Sequence, residues 1–548
     1  MRRIIVSTLW LSLVFQGSAV AQSAGATRQE AINSLFASVN EQTPGCVAGA
    51  SENGQLTYSH AFGLASIELR VPLSTDSVFN LESLSKQFTA MSLILLVNQQ
   101  KIALTDEIQK YIPELPKYKY PVTLAEMLHH TSGLKDVDQL FKLAGLHPMD
   151  IATPGMALDL IARQRDLNFT PGNTFSYSNT NYFLLGLVVE RVSRIPLARF
   201  AKERIFEPLG MTHTLIRDDA TMVIPNVASG YRKRFDEWHS GAEGDETVGP
   251  SLVFSTLGDL AKWDENFYQK TVGGEGARQL MLEQTPLSDG TPNPYSAGLI
   301  TRRYRGLTVV EHKGDGSGSQ TVMMRFPAQH YSVIVLCNSR DQISPSAIAQ
   351  KMADIDLADK MERPVGDQPA VPFDEAAYRH LAGVYWDGRT DLLREIVIQK
   401  GKLMQRLLPD DEPRELHPLA PGRFGGGNGV VYQFDTSGRA FVRFAPGDTT
   451  FSYHRLADSD LPKQTADSFV GAFYSTEVNV LWRFTNEGKN LVLHRKGYPD
   501  ECLDFAFRDS FFGDLGLFRF MRDKSGDVRT LLLMNYRLGK VSFARRRD

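Results

Sequence analysis

Apolar residues at Ile32, Leu35, Phe36 and Val39 fall at i, i+3, i+4 and i+7, the spacing of one helical face, and predict a helix over about residues 27–41. A second helix is expected to begin at Ser344-Pro345, a capping serine followed by a proline that the first turn tolerates. Ile348, Met352 and Ile355 form its apolar side. Elsewhere the pattern shortens to strands. Residues 46–52 and 56–62 flank an Asn53-Gly54 turn, and residues 307–311, 321–326 and 332–336 cluster near the far end of the same stretch. Strands from both ends of one segment, with helices between them and at both termini, describe an α+β domain over residues 27–361, an antiparallel sheet flanked by helices.

Three prolines in the polar stretch 362–372 break any periodicity and read as a linker. Beyond it, short alternating runs separated by glycine turns read as all-β. This part repeats itself: Gly383 and Gly471, Phe424 and Phe512, Gly425 and Gly513, Asp435 and Asp523, Ser437 and Ser525, and Gly438 and Gly526 each lie 88 residues apart. Two copies of one antiparallel unit are therefore expected, over 373–458 and 465–548, each a small closed barrel of about eight strands. Neither copy holds a nucleophile and base at reachable spacing, so the repeats are expected to modify access and to contribute no catalytic residue.

Composition mainly excludes. The 548 residues are 42% apolar and 22% charged, an ordinary globular mix, and 60 Lys and Arg against 63 Asp and Glu leave a net charge of -3. Nothing there favours nucleic acid. The chain opens with two arginines, an apolar run from Ile4 to Phe15 and Ala19-Val20-Ala21, which reads as a secretory signal over 1–21 cut after Ala21. No later segment is apolar for long enough to span a membrane, so the mature chain is expected to be periplasmic or secreted. Cysteines occur only at 46, 337 and 502, too few for a disulfide scaffold or a Cys-rich metal site, and Cys337, ending the run YSVIVLC, is expected to be a buried, inert thiol. No metal or cofactor is expected.

Common hydrolase signals are absent: there is no GxSxG elbow, no HExxH helix and no Walker A loop. Adjacent His129 and His130 are expected to serve structural hydrogen bonds. Ser-x-x-Lys occurs twice, at Ser83–Lys86 and Ser132–Lys135. The second copy contains Gly133 in a turn-like setting, whereas the first leads into the apolar run FTAMSLILLVNQQKI, of helical length. On a helix, i and i+3 share a face, so the Lys86 amine can reach the Ser83 hydroxyl. Burial there would depress the lysine pKa, as a base near neutrality requires. A serine cap beside a surface lysine would look the same from this segment alone.

Two further segments extend the pattern: Tyr177-Ser178-Asn179 just before an apolar helix, and His312-Lys313-Gly314 at the end of a candidate strand. The order SxxK, YxN and [KH]xG resembles the serine β-lactamase and penicillin-binding superfamily, in particular its class C-like branch of esterases and D-aminopeptidases. VTLAEMLHHTSGL, FTPGNTFSYSN, FEPLGMTHT and LVFSTLGDLAKW support the likeness across about residues 43–340. The two C-terminal repeats resemble the layout of bacterial D-aminopeptidases.

The resemblance implies Ser83 as the acylated nucleophile and Lys86 as the amine that polarises it. It implies Tyr177 as a phenolate or shared-proton base that later protonates the leaving group, Asn179 as the substrate-orienting amide, and His312 as a partner that tunes Tyr177. The oxyanion would be held by the backbone N–H groups of Ser83 and Asp315, with Gly314 letting the strand approach the substrate. Penicillin-recognising relatives usually carry Lys-Ser/Thr-Gly at the third motif, and Lys313 is expected on the opposite sheet face. The expected activity is therefore a covalent serine hydrolase on small esters, or on amides and short peptides of D-amino acids, without cofactor. The alternatives are a β-lactamase or penicillin-binding carboxypeptidase and, from another class, a non-catalytic ligand sensor or assembly protein. The oligomeric state is left open.

Overall fold

The computed structural model describes residues 27–363, 373–388, 392–408, 413–426, 430–444, 451–456, 466–488 and 490–546. The expected signal segment 1–21 and most of the linker 362–372 lie outside them. The first domain is built on a six-stranded antiparallel sheet in the order Ile300–Tyr304, Leu307–Asp315, Gln320–Phe326, Tyr331–Cys337, Cys46–Glu52, Gln55–Phe62. The N-terminal hairpin thus closes onto strands about 280 residues later (331 minus 52 is 279). Its turn has φ of 51° at Asn53 and 77° at Gly54, the left-handed pair that asparagine and glycine tolerate best.

Period-two alternation assigns each strand residue to a face. In Tyr331–Cys337, Val333, Val335 and Cys337 join Ile32, Phe36, Ile348 and Met352 under the two terminal helices, while Ile334 and Leu336 face the large helical core. The C-terminal helix is Pro345–Asp356, capped by Ser344 as the sequence suggests. The N-terminal helix stops at residue 34 rather than 41, and Leu35, Phe36 and Val39 continue as turns. The strand Ile300–Tyr304 was not legible, because ITRRY offers no clear apolar alternation.

Cys46 and Cys337 stand directly opposite each other on neighbouring strands and form a disulfide, with Cα atoms 4.0 Å apart. This corrects the expectation of an inert thiol at Cys337. Each cysteine reads as an ordinary buried strand residue by itself; only the register joins them.

The repeat is visible strand by strand. Gly383 and Gly471, Leu392 and Val480, Lys402 and Asn490, Ala440 and Val528, and Phe451 and Gly539 each begin strands 88 residues apart. The second copy closes into an eight-stranded barrel. The first is a nine-stranded sheet whose two ends, Arg414–Glu415 and His417–Ala420, are one strand interrupted at Leu416, so it is nearly closed. Among the described residues, the second packs its core into that of the first domain: Phe473, Phe484 and Leu533 belong to the same apolar cluster as Phe88, Leu140 and Leu184.

Candidate active site

Ser83 lies in the 3-10 turn Glu82–Ser85, which runs directly into the helix Lys86–Asn98. Leu81 N–H donates to Val253 O at 2.8 Å, and Leu81 O accepts from Thr321 Oγ1 at 2.8 Å, so sheet and helical region both grip the turn. Glu82 adopts φ of 53°, a left-handed conformation that strains a non-glycine residue by about 1–3 kcal/mol. It is held there by Asn80 and Ser319, which donate to its carboxyl at 2.8 and 2.7 Å. A Cβ on Gly314 would stand 2.1 Å from Leu81 O and 2.3 Å from Thr321 Oγ1. The glycine of the third motif therefore lets its strand approach the nucleophile turn, a different partner from the substrate expected for it.

Lys86 is wholly buried, and its Nζ donates to Ser83 Oγ at 3.0 Å and to Pro250 O at 2.9 Å. Burial pushes the amine down to about 7, against the opposing pull of Asp138, while Arg537 adds to the depression. The neutral amine is thus accessible at physiological pH. Its Nζ lies 4.8 Å from the centroid of the Tyr177 ring. Among the described residues, the buried Tyr177 hydroxyl has no hydrogen-bond partner of ordinary geometry. Burial pushes it well above its usual value, and nearby Ser83 opposes that only in part. Of the two states expected, phenolate or shared-proton base, this direction disfavours the phenolate.

Asn179 opens the helix Asn179–Ser193, with its backbone N–H on Asp136 Oδ2 at 2.7 Å and its Nδ2 on Asp138 at 2.5 Å. Its Oδ1 has no hydrogen-bond partner among the described residues. Burial and the neighbouring Asp136 push the Asp138 carboxyl up to about 7. His312 does not reach Tyr177: their ring centroids are 6.4 Å apart. Its Nδ1 meets Lys313 O at 2.8 Å and, because a carbonyl only accepts, carries the hydrogen; Nε2 then accepts from Tyr295 OH at 2.9 Å. Burial, reinforced by the Lys86 charge, pushes the imidazole down to about 3. Of the two forms of tuning expected of His312, the hydrogen bond goes to Tyr295 and not to Tyr177.

The strand Ile300–Tyr304 pairs only as far as Glu311, so residues 312–315 present one edge with no strand beside it among the described residues. Asp315 borders the cleft there, and Lys313 also reaches its rim instead of being confined to the far face. The cleft holds about 1290 Å³ and is lined by Ser83, Tyr177, Asn179, His312 and, from the second barrel, Arg537. The guanidinium carbon of Arg537 lies 4.9 Å from the Tyr177 ring centroid, so the second of the repeats expected to modify access reaches the cleft itself.

His129 and His130 are structural, as expected. His129 Nδ1 meets Tyr295 O at 3.1 Å, and His130 Nδ1 accepts from Asn181 Nδ2 at 3.0 Å. The second Ser-x-x-Lys is not a catalytic pair either: Ser132 Oγ donates to Asn181 Oδ1 at 2.6 Å, and Lys135 Nζ leaves the site to bond Glu477 at 2.7 Å and Lys540 O at 2.6 Å, both on the second barrel. Sequence reasoning missed Asp138, Tyr295 and Arg537, which carry no motif. Among the described residues, no cluster of His, Cys, Asp and Glu is arranged to hold a metal ion, and no helix is long and apolar enough to cross a membrane.

Comparison with known proteins agrees with this geometry. The chain is 29% identical to penicillin-binding protein 4* of Bacillus subtilis over 421 residues, 71% of this chain and 91% of that one. It is 27% identical to the D-aminopeptidase of Brucella anthropi over 332 residues, 58% of this chain and 60% of that one. In fold it resembles the octameric penicillin-binding protein homologue of Pyrococcus abyssi, with a TM-score of 0.53, 22% identity and coverage of 75% of this chain and 96% of the other. The Ochrobactrum anthropi D-amino acid amidase is similar with a TM-score of 0.51, at 21% identity over 60% of this chain and 98% of the other. The description of the Beta-lactamase family matches residues 32–354, which hold the serine, the lysine, the tyrosine and the histidine strand, and the chain belongs to that family.

Proposed function

We propose that the protein hydrolyses small esters, or amides and short peptides of the D-amino acid type, through an acyl-enzyme on Ser83. The supporting observation is the buried Lys86 amine, 3.0 Å from Ser83 Oγ and pushed down to about 7, because a neutral amine can take the serine proton as the hydroxyl attacks. Tyr177, uncharged beside it, relays that proton to the leaving amine or alcohol. The same pair then draws a proton from the water that cleaves the acyl-enzyme. The backbone N–H groups of Ser83 and Asp315 are assigned to the developing oxyanion, and Asn179, held by Asp138, to the acyl side of the substrate.

Charges of both signs border the cleft, with Lys142, Arg302, Arg303, Arg305, Lys313, Arg340 and Arg537 facing acids such as Glu243 and Asp315, and Arg340 is drawn to Asp315 at 3.6 Å. A β-lactam carboxylate is disfavoured, because His312 is neutral and engaged with Tyr295. The names of the relatives, D-aminopeptidase and D-amino acid amidase, support the same class. The Cys46–Cys337 disulfide supports an oxidising compartment, in keeping with a periplasmic or secreted protein.

The test is a comparison of p-nitrophenyl acetate, D-alanine p-nitroanilide and a chromogenic cephalosporin on the full chain, with Ser83→Ala as blank. Turnover of the first two should exceed that of the cephalosporin, and a fluorophosphonate should label Ser83. A dominant cephalosporin rate would make the protein a β-lactamase; no acylation by any reagent would place it among ligand sensors.

A further inference from the structure

The second barrel's last hairpin joins strands Val528–Asn535 and Gly539–Arg545 through Tyr536, Arg537 and Leu538. Asn535 Oδ1 accepts from the backbone N–H groups of Arg537 and Leu538 at 3.0 and 2.9 Å, which fixes the turn. The catalytic domain grips it from outside: Asp136 N–H and Asn168 Nδ2 both donate to Arg537 O at 3.2 Å, and Tyr536 OH donates to Phe175 O at 3.4 Å. Thus held, the Arg537 side chain enters the cleft, 36% exposed, with its guanidinium beside the Tyr177 ring and Nη1 4.0 Å from Asp136 Oδ2. That carboxylate is already bonded by the backbone N–H groups of Gln139 and Asn179, so it offsets the guanidinium only in part.

We propose that Arg537 is a positioning residue of the catalytic centre: carried in by the docked second barrel, it supplies the positive charge beside Tyr177 that favours the proton-accepting form of the Ser83, Lys86 and Tyr177 unit. The inference rests on the serine-hydrolase reading above. Lys86 and Tyr177 meet cations and anions from every side. Asp136 faces them from the cap of the helix Val137–Ala144 and Asp138 from its first turn, Glu82 from the nucleophile turn, His130 from behind Tyr177, Tyr182 from the following helix, and Tyr295 and His312 from the sheet side, with Lys313 acting on His312. The carboxyl groups favour protonated Lys86, and Arg537 opposes them. Removing the guanidinium therefore raises the proton affinity of both Lys86 and Tyr177, whichever accepts the serine proton.

The experiment measures kcat/KM for p-nitrophenyl acetate, which carries no charged group, against pH for the full-length wild type, Arg537→Ala and Arg537→Lys, with Ser83→Ala as blank. In Arg537→Ala the acid limb should move about one unit to higher pH, solvent around the exposed part of the side chain keeping the shift near that size. Turnover at pH 6 then falls about tenfold, and the deficit shrinks as pH rises. Arg537→Lys, which keeps the charge, should restore most of the limb. An acid limb unmoved in Arg537→Ala overturns the proposal, whether activity falls equally at all pH values, as for a purely structural contact, or only KM rises for substrates bearing a carboxylate, as for a substrate-binding arginine. Activity persisting in Ser83→Ala would instead overturn the underlying serine-hydrolase reading.

Discussion

A lysine with no exposed surface is held at the one place where its neutral form is useful, since Ser83 and the Pro250 carbonyl are the two groups its amine meets. Ser83→Ala should abolish labelling and turnover, and Lys86→Ala and Tyr177→Phe should each cost at least about a thousandfold in kcat, because members of one proton-transfer unit are strongly non-additive. Since Lys86 sits near 7, kcat/KM should rise with pH through that value and fall tenfold per unit well below it. The same shift appears in stability. Between about 7 and the ordinary value of 10.5 the unfolded chain holds the extra proton, so this group makes the fold more stable as pH rises across that window. Lys86→Met should remove that slope, seen as a smaller gain in unfolding temperature from pH 7 to 9; equal gains would show the amine to be charged in the fold. The serine, lysine and tyrosine were legible because i, i+3 spacing and burial after an apolar run are local properties. The state of His312 was not, since it depends on Tyr295, whose segment carries no signal.

Strands and turns set the distances that those side chains exploit. Gly314→Ala should force the strand Leu307–Asp315 away from Leu81, since the new methyl would meet backbone that is itself pinned at 2.8 Å to Val253. A displacement of that kind near reacting atoms costs on the order of 100-fold in turnover, which a kinetic comparison at unchanged circular dichroism would reveal; full activity would show that the turn can yield. The Cys46–Cys337 bond ties the sheet's first strand in chain order to its last, neighbours in the sheet, across 291 residues of chain. Replacing both cysteines by alanine should lower stability by about 2–5 kcal/mol in urea unfolding while leaving turnover near that of the wild type. An unchanged midpoint would mean the bond does not form in the protein. Five of the six strands were legible in the alternation of side chains, yet neither the bond nor the register behind it was, because pairing of residues 46 and 337 belongs to no local window.

At the scale of the whole molecule, the 88-residue spacing revealed two barrels but not that they differ in use. Copies of one fold expose different loops, and only the second carries Lys540 and Glu477 to the rim of the catalytic domain. The motif dismissed as a weak second Ser-x-x-Lys is its receptor: Lys135, 5% exposed at its side chain, spans 342 residues of sequence to reach Glu477. Around that contact, Gln164 Nε2 donates to Glu477 O at 3.0 Å, the His147 and Tyr498 rings stack at 4.0 Å, and Ser542 N–H donates to the other Glu477 oxygen at 2.9 Å. The pair is buried on the lysine side and partly open to solvent on the glutamate side, so breaking it from one side is destabilising by less than the about 3–5 kcal/mol of a fully buried pair. Lys135→Met should therefore loosen the barrel at its docking face, and Glu477→Gln in the same chain should recover part of the loss, the deficit of the pair being smaller than the sum of the singles. Hydrogen exchange in the hairpin Val528–Arg545 reads this directly: faster exchange in Lys135→Met, partly reversed in the double variant, fits a barrel that is latched onto the site, whereas protection unchanged in all three would show that the shared apolar core alone holds the two domains together.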